Sequence, residues 1–274
     1  MRKKPFIFCG YVCILGIFGA FFRWLQNTTA FEADTGLAIP FALWSIVMAV
    51  YIGASAVSLI FPTRALPSEG CPESFASAFG GGPAVVFKAA SIICLVLVSG
   101  SGAVTLLRCI QAGILSKNLF DMILGGGAFV SGICLFALFH KLSAGKDKGF
   151  GGFCVFIVLY LCFLLIWEYK VYASDPVVWH FAVRILSTAA VLLAYYFIAG
   201  FSYYRIKPRK AAYFSLLGVA LSISTFADSA GTSMHIMTLG LTIGLLVLCY
   251  MLIGNLKPEN READDDASEG ETEA

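Results

Sequence analysis

Eight separate stretches of this chain are apolar over the length that a helix needs to cross a lipid bilayer. A helix rises about 1.5 Å per residue, so a hydrocarbon core about 30 Å thick takes about 20 residues. The stretches that we expect to span the membrane are residues 5–25, 39–61, 84–107, 119–142, 152–169, 177–201, 211–227 and 234–256. The sequence therefore predicts an all-α, polytopic integral membrane protein with about eight transmembrane helices.

The composition supports the same prediction. Hydrophobic residues make up 59% of the chain and charged residues 13%, whereas a soluble domain has about 45–50% and about 25%. Too few charged residues remain to cover a water-soluble fold, so we expect the lipid bilayer to be the main partner of this surface. We expect no nucleic acid partner.

The basic residues between the stretches predict how the chain threads through the membrane. Lys and Arg are enriched on the cytoplasmic side of membrane proteins. Thirteen of them fall at the predicted cytoplasmic ends of the stretches and in the segments beyond those ends, four fall at the other ends and connections, and Lys88 and Arg184 lie within stretches. The thirteen are Arg2, Lys3, Lys4, Arg64, Lys141, Lys146, Lys148, Arg205, Lys207, Arg209, Lys210, Lys257 and Arg261. The four are Arg23, Arg108, Lys117 and Lys170. This bias predicts that both termini are cytoplasmic.

The last part of the chain differs from the rest. Residues 259–274 hold eight of the 17 acidic residues and almost no large apolar side chains. Such a segment cannot bury enough apolar surface to fold by itself. We therefore expect a transmembrane domain over residues 1–256 and a disordered acidic cytoplasmic tail over residues 257–274.

Ionisable residues near the membrane gather at the predicted outer ends of the stretches. A charge at membrane depth is costly, so it marks either a functional site or a buried ion pair. The residues that we predict to bind a ligand are Arg184, His180, Glu168, Asp228, Arg108 and Arg23. Arg184 is expected about two turns into the sixth stretch and one turn after His180 on the same helix face.

Two interpretations of Arg184 follow. In the first, its guanidinium grips the carboxylate or phosphate of a small anionic or zwitterionic ligand in an outward-facing cavity. In the second, it pairs with Glu168 or Asp228 to fix the helix register, or its head reaches the lipid headgroups. The sequence alone leaves both open.

Small residues predict where helices approach closely. Gly125, Ala128 and Gly132 recur at helical spacing in the fourth stretch, and residues 99–102 of the third read Ser-Gly-Ser-Gly. Small side chains allow transmembrane helices to pack backbone against backbone. Packing is one interpretation of these residues, and a gating hinge in the third stretch is the other.

No catalytic or metal-binding motif supports an enzyme. The chain has no HExxH, no GxSxG and no P-loop, and its nine cysteines form no CxxC pair. We expect no cofactor and no metal. The sequence favours small-molecule transport or substrate binding, with a sensor or accessory subunit of an envelope complex as the alternative, in which the acidic tail contacts a cytoplasmic partner. The short loops favour a bacterial cytoplasmic membrane.

Overall fold

The computed structural model describes residues 3–32, 35, 37–66, 72, 74–111, 119–145, 149–172 and 177–256. Within these ranges the fold is helical, and eight helices are long and apolar enough to cross a membrane. These eight are α1 (Lys3–Thr29), α2 (Leu43–Arg64), α4 (Ala84–Gln111), α5 (Leu119–Ser143), α6 (Gly151–Tyr172), α7 (Ala182–Gly200), α8 (Pro208–Ser224) and α9 (Thr232–Asn255). A five-residue helix, α3 (Phe75–Phe79), precedes α4. The predicted number of helices with the length and composition to span a membrane is confirmed.

The helices form one bundle in which α8 and α9 are the most enclosed. Helices α4 to α8 pack against one another in chain order, and α9 packs against α1, α4 and α8. Most of α8 and α9 is buried, whereas α1 and α2 expose large apolar side chains such as Phe6, Ile17 and Phe61. Exposed apolar residues on long apolar helices are favourable in lipid and unfavourable in water. This surface suits a lipid environment.

The small residues of α4 and α5 bring these two helices into backbone contact. A Cβ atom added at Gly102 would lie 2.5 Å from the Phe129 nitrogen, and one added at Gly132 would lie 2.2 Å from Ser99 Oγ. Ser99 Oγ also donates to the Phe129 carbonyl at 2.8 Å. The prediction of close helix packing at these positions is confirmed. Helix α4 contains a π-helical segment at Leu95–Ser99, which ends three residues before Gly102.

Two helices begin later than the sequence predicts. Helix α2 begins at Leu43, because the chain first makes a bridge between Phe31 and Ala38 and then passes through Phe41 in a left-handed conformation at φ 57°. Helix α7 begins at Ala182 after a 3₁₀ turn at Val178–His180. Arg184 therefore lies in the first turn of its helix. The expectations that it lies two turns deep and shares a helix face with His180 were wrong.

The end of the bundle where α1, α4 and α6 finish and α5, α7 and α9 begin is called the polar end below.

The acidic tail predicted at residues 257–274 lies outside the described residues.

Candidate functional site

All six residues predicted to bind a ligand belong to the polar end, but the structure divides them. One group surrounds Arg23, a second contains Arg184 and Glu168, and Arg108 lines a cavity beside the second group. The three locations differ in how many hydrogen-bonding groups remain available to a ligand.

The Arg23 cluster consists of Arg23, its hydrogen-bond partners Gln26 and Asp228, and the carbonyl groups of Trp179 and His180. Arg23 Nε donates to Asp228 Oδ1 at 2.5 Å, and Nη1 donates to Gln26 Oε1 at 2.7 Å. Nη1 and Nη2 also donate to the carbonyls of Trp179 and His180 at 2.9 and 3.1 Å. Arg23 is only 1% exposed. Each nitrogen of its guanidinium therefore donates to the protein.

Three further contacts of the residues at the end of α1 support this cluster. Gln26 Nε2 donates to Ser45 Oγ on α2 at 3.2 Å, and Asn27 Nδ2 donates to the Ala227 carbonyl at 2.9 Å. The Phe31 ring packs on the His180 ring at 4.6 Å between centroids. The cluster fastens α1 to the turns before α7 and α9, which is a structural task. Ligand contact at Arg23, Asp228 and His180 stays a prediction.

The second group is a buried ion pair between α6 and α7. Arg184 Nε donates to Glu168 Oε1 at 3.0 Å. Of the two partners that the sequence offers to Arg184, the structure selects Glu168, because Asp228 is held by Arg23. Among the described residues, no acceptor takes a hydrogen bond from Nη1 or Nη2 of Arg184. One edge of the guanidinium is thus fixed, and two donor nitrogens remain for another group.

A cavity of about 350 Å³, called the polar cavity below, opens beside Arg184. Helices α4, α5, α6, α7 and α9 and the turn before α9 all contribute to its wall. Its polar and aromatic lining residues are Ser101, Thr105, Arg108, Asp121, Tyr160, Trp167, Tyr172, Arg184, Ser229 and Ser233. Cationic, anionic, hydroxyl and aromatic side chains therefore meet in a space of small-molecule size.

Several side chains of the polar cavity are held in place by one another. The Trp167 indole donates to Asp121 Oδ1 at 2.7 Å, and Tyr160 OH donates to Met237 Sδ at 2.7 Å. Ser233 Oγ donates to the Ser101 carbonyl at 2.8 Å. Asp121 is not among the residues predicted to bind a ligand, although it is likewise an ionisable residue at the predicted outer end of a stretch, the signal that identified the others.

A second, much smaller cavity of about 20 Å³ lies on the other side of Arg184, deeper in the bundle. Its polar lining consists of Glu168, Arg184, Ser187, Thr188, Ser222, Thr225 and Thr238. Glu168 is 1% exposed, and its Oε2 atom has no hydrogen-bond partner among the described residues. We call this the Glu168 cavity. Arg184 and Met237 line both cavities.

A groove of about 630 Å³ lies between α6 and α7 towards the opposite end. Val155, Leu159 and Phe197 form part of its largely apolar wall, and Arg205 and Lys207 lie at its rim. None of the residues predicted to bind a ligand lines this groove. The polar cavity is therefore the candidate site.

In the polar cavity, Arg108 and Arg184 can donate hydrogen bonds to a carboxylate or a phosphate, and the carboxylate of Asp121 can bind an amine. The alternative role as an accessory subunit depends on the acidic tail, which lies outside the described residues. No protein-family model, curated protein or solved structure matches this chain.

Proposed function

We propose that this membrane protein binds a small anionic or zwitterionic molecule in the polar cavity and transports it across the bilayer. The observation that carries the proposal is the state of Arg184. Its Nε is fixed by buried Glu168, while Nη1 and Nη2 donate to no acceptor among the described residues, and the residue lines the polar cavity. An arginine oriented in advance loses less freedom when it grips a planar anion.

The other side chains of the polar cavity match such a ligand. Arg108 adds a second positive charge at the cavity wall, and Asp121 offers a carboxylate that Trp167 orients. Arginine guanidinium groups bind carboxylates and phosphates through paired hydrogen bonds. An ammonium group of a zwitterion is attracted by a carboxylate and by aromatic faces such as that of Tyr172.

The size of the cavity limits the ligand. Small-molecule sites in proteins have volumes of roughly 300–1,000 Å³, and the polar cavity, at about 350 Å³, lies at the lower end. This volume suits a molecule of amino-acid or small aromatic-acid size and is too small for a lipid or a peptide.

Two features of α4 support transport rather than binding alone. The polar cavity reaches Ser101, which lies two residues after the π-helical segment Leu95–Ser99. Single π-helical turns within α-helices occur frequently at functional sites, and they are a cause of helix kinks. A change of the helix angle there would move Ser101 and alter the cavity wall.

The binding experiment uses the purified full-length protein in detergent. We would measure the shift in thermal unfolding temperature with L-glutamate, succinate, benzoate and inorganic phosphate, and with choline as a purely cationic comparison. We expect stabilisation by at least one of the four anionic probes and none by choline, because ligands that bind the folded state raise its stability. The stabilising probe is then tested for uptake into proteoliposomes.

The variant Arg184→Gln is expected to abolish both the stabilisation and the uptake. Arg205→Gln is the matched control, since it removes the same charge from the groove at the opposite end. If no anionic probe stabilises the wild type, or if Arg184→Gln responds like the wild type, the proposed function is wrong.

A further inference from the structure

The Glu168 cavity has no role in ligand binding as described so far, yet its wall contains a buried carboxylate oxygen without a hydrogen-bond partner among the described residues. Glu168 is 1% exposed, and one of its oxygens accepts from Arg184. Oε2 has no partner with hydrogen-bond geometry among the described residues, while the Thr188 hydroxyl lies beside the carboxylate. A buried carboxylate oxygen that lacks a partner is costly. Binding of a proton or of a water molecule would remove that cost.

The cavity next to Glu168 has room for one water molecule. Its volume is about 20 Å³, and a polar space of at least about 10–15 Å³ accommodates a single water. Hydroxyl groups surround it: Ser187 Oγ and Ser222 Oγ lie 3.0 Å apart, and Thr225 and Thr238 donate to carbonyls of their own helices and keep oxygens available as acceptors. The carboxylate thus faces groups that can relay a proton through water.

Arg184 connects this cavity to the polar cavity. It donates Nε to Glu168 on one side and lines the polar cavity on the other. The buried pair is neutral overall. When an anion binds to Arg184, the anion, Arg184 and Glu168 together carry one net negative charge. Such a net charge is unfavourable in a region of low dielectric constant. One proton on Glu168 restores neutrality and gives the full charge of Arg184 to the anion.

We propose that Glu168 is a proton-binding site and that one proton binds to it together with each ligand anion at Arg184. The charge balance is complete: the ligand brings one negative charge, the proton brings one positive charge, and no other reactant is needed. The inference rests on the proposed function for the ligand and deepens it, since it makes the proton the coupling ion.

The other ionisable groups near Glu168 are each engaged elsewhere. Tyr160 on α6 donates to Met237, and Asp121 on α5 accepts from Trp167. Asp228, after α8, accepts from Arg23, and its carbonyl pairs with His235 of α9. Asp228 Oδ2 also lacks a partner among the described residues. It is joined, however, to Arg23, which is 1% exposed and each of whose guanidinium nitrogens donates to the protein.

A sodium ion fits the Glu168 cavity less well than a proton. The cavity has the size of one water molecule and offers carboxylate and hydroxyl oxygens, but Arg184 is also part of its wall. A metal cation there would be repelled by the guanidinium at short distance. Sodium dependence is therefore treated as a result that contradicts the inference.

The first arm of the test needs no ligand. Infrared difference spectra of the full-length protein in lipid vesicles, recorded between neutral and acidic pH, report the carbonyl band of a protonated carboxyl group. All acidic residues that take up a proton contribute to this band, so the Glu168 component is read from the difference between wild type and variant. We expect one component of the wild-type band to be missing in Glu168→Gln and shifted in Glu168→Asp. Glu32→Gln, the same change at an exposed position, keeps this component.

The second arm measures proton uptake when benzoate binds, by calorimetry in two buffers of different ionisation enthalpy. Between about pH 5.5 and pH 8 benzoate stays an anion, because carboxylic acids of its type ionise near pH 4. We expect the wild type to take up close to one proton per benzoate, and its affinity to fall up to tenfold per pH unit as the pH rises. Glu168→Gln should bind benzoate without proton uptake, and Glu168→Asp should regain the uptake.

Each result decides the inference. Equal proton uptake by wild type and Glu168→Gln, an infrared spectrum of Glu168→Gln that is identical to that of the wild type, or benzoate binding that depends on sodium at constant pH would overturn it. If benzoate does not bind at any pH while the band belongs to Glu168, the proton site is supported and its coupling to this anion is wrong. Loss of folding in Glu168→Gln leaves the decision to Glu168→Asp.

Discussion

Arg23 and Asp228 lie 205 positions apart in the chain, yet they form a buried ion pair with 2.5 Å between Nε and Oδ1. Arg23 is 1% exposed and also donates to two backbone carbonyls. A single pair therefore joins the end of α1 to the turn between α8 and α9. The pair therefore links the first helix of the bundle to its last two helices.

Removal of one member of this pair should destabilise the protein strongly. In Arg23→Met the Asp228 carboxylate is left buried without its partner, and such a loss costs about 3–5 kcal/mol. We expect a large decrease in the unfolding temperature in detergent. Adding Asp228→Asn should recover part of the loss, because the unpaired charge is then absent. Equal stability of the single and double variants would show that the two residues are not coupled.

The contact between α4 and α5 predicts a position-specific effect of a single methyl group. In Gly132→Ala the new Cβ would lie 2.2 Å from Ser99 Oγ and 2.5 Å from the Ser99 nitrogen, so the helices must move apart. We expect a loss of about 1–3 kcal/mol in the free energy of unfolding. Gly126→Ala is the control on the same helix, since nothing lies within 4 Å of its added Cβ. A similar loss in both variants would contradict the close contact.

The sequence predicts the number of long apolar helices correctly because membrane thickness fixes the length of each apolar stretch. It places the ends less well. Residues 177–181 are mostly apolar, like the helix that follows, but the chain forms a 3₁₀ turn there and α7 begins at Ala182. Hydropathy does not distinguish an apolar turn from an apolar helix. Helix α3 is not predicted because its five residues are too few for an apolar stretch of membrane-spanning length.

The sequence also identifies the charged residues of the polar end without assigning their partners. Glu168 and Asp228 are equally acceptable partners for Arg184, since both are acidic and both are expected at the same depth. The choice depends on which helices are neighbours: α6 packs against α7, while α1 brings Arg23 to Asp228. The two cavities are likewise products of packing, because no single helix contains enough of either wall to reveal it.

The charge bias predicts that the polar end faces outward and that both termini are cytoplasmic. Single cysteines at Thr35 and Ala144, in a background without the nine native cysteines, test this orientation in intact cells. Both positions are exposed, between α1 and α2 and after α5. We expect a membrane-impermeant thiol reagent to label Thr35→Cys from outside and Ala144→Cys only after the cells are permeabilised. The reverse pattern would invert the proposed orientation. Three long helices, α2, α4 and α5, lie between the two positions, so labelling of both from outside would contradict three membrane crossings by these helices.

The two arginines of the polar cavity should differ in how salt affects their contribution to ligand binding. Arg108 is exposed, and no acceptor among the described residues takes its hydrogen bonds, whereas Arg184 is 8% exposed and fixed by Glu168. An exposed charge is screened by salt, and a buried one much less. We expect Arg108→Gln to weaken benzoate binding by about twofold to fivefold at low salt, and this difference from wild type should shrink at high salt. The loss in Arg184→Gln should be at least about tenfold and persist at both salt concentrations. Titrations of wild type and both variants at low and high ionic strength measure this. If salt removes the effect of Arg184→Gln as well, Arg184 acts only through its long-range charge and does not contact the anion.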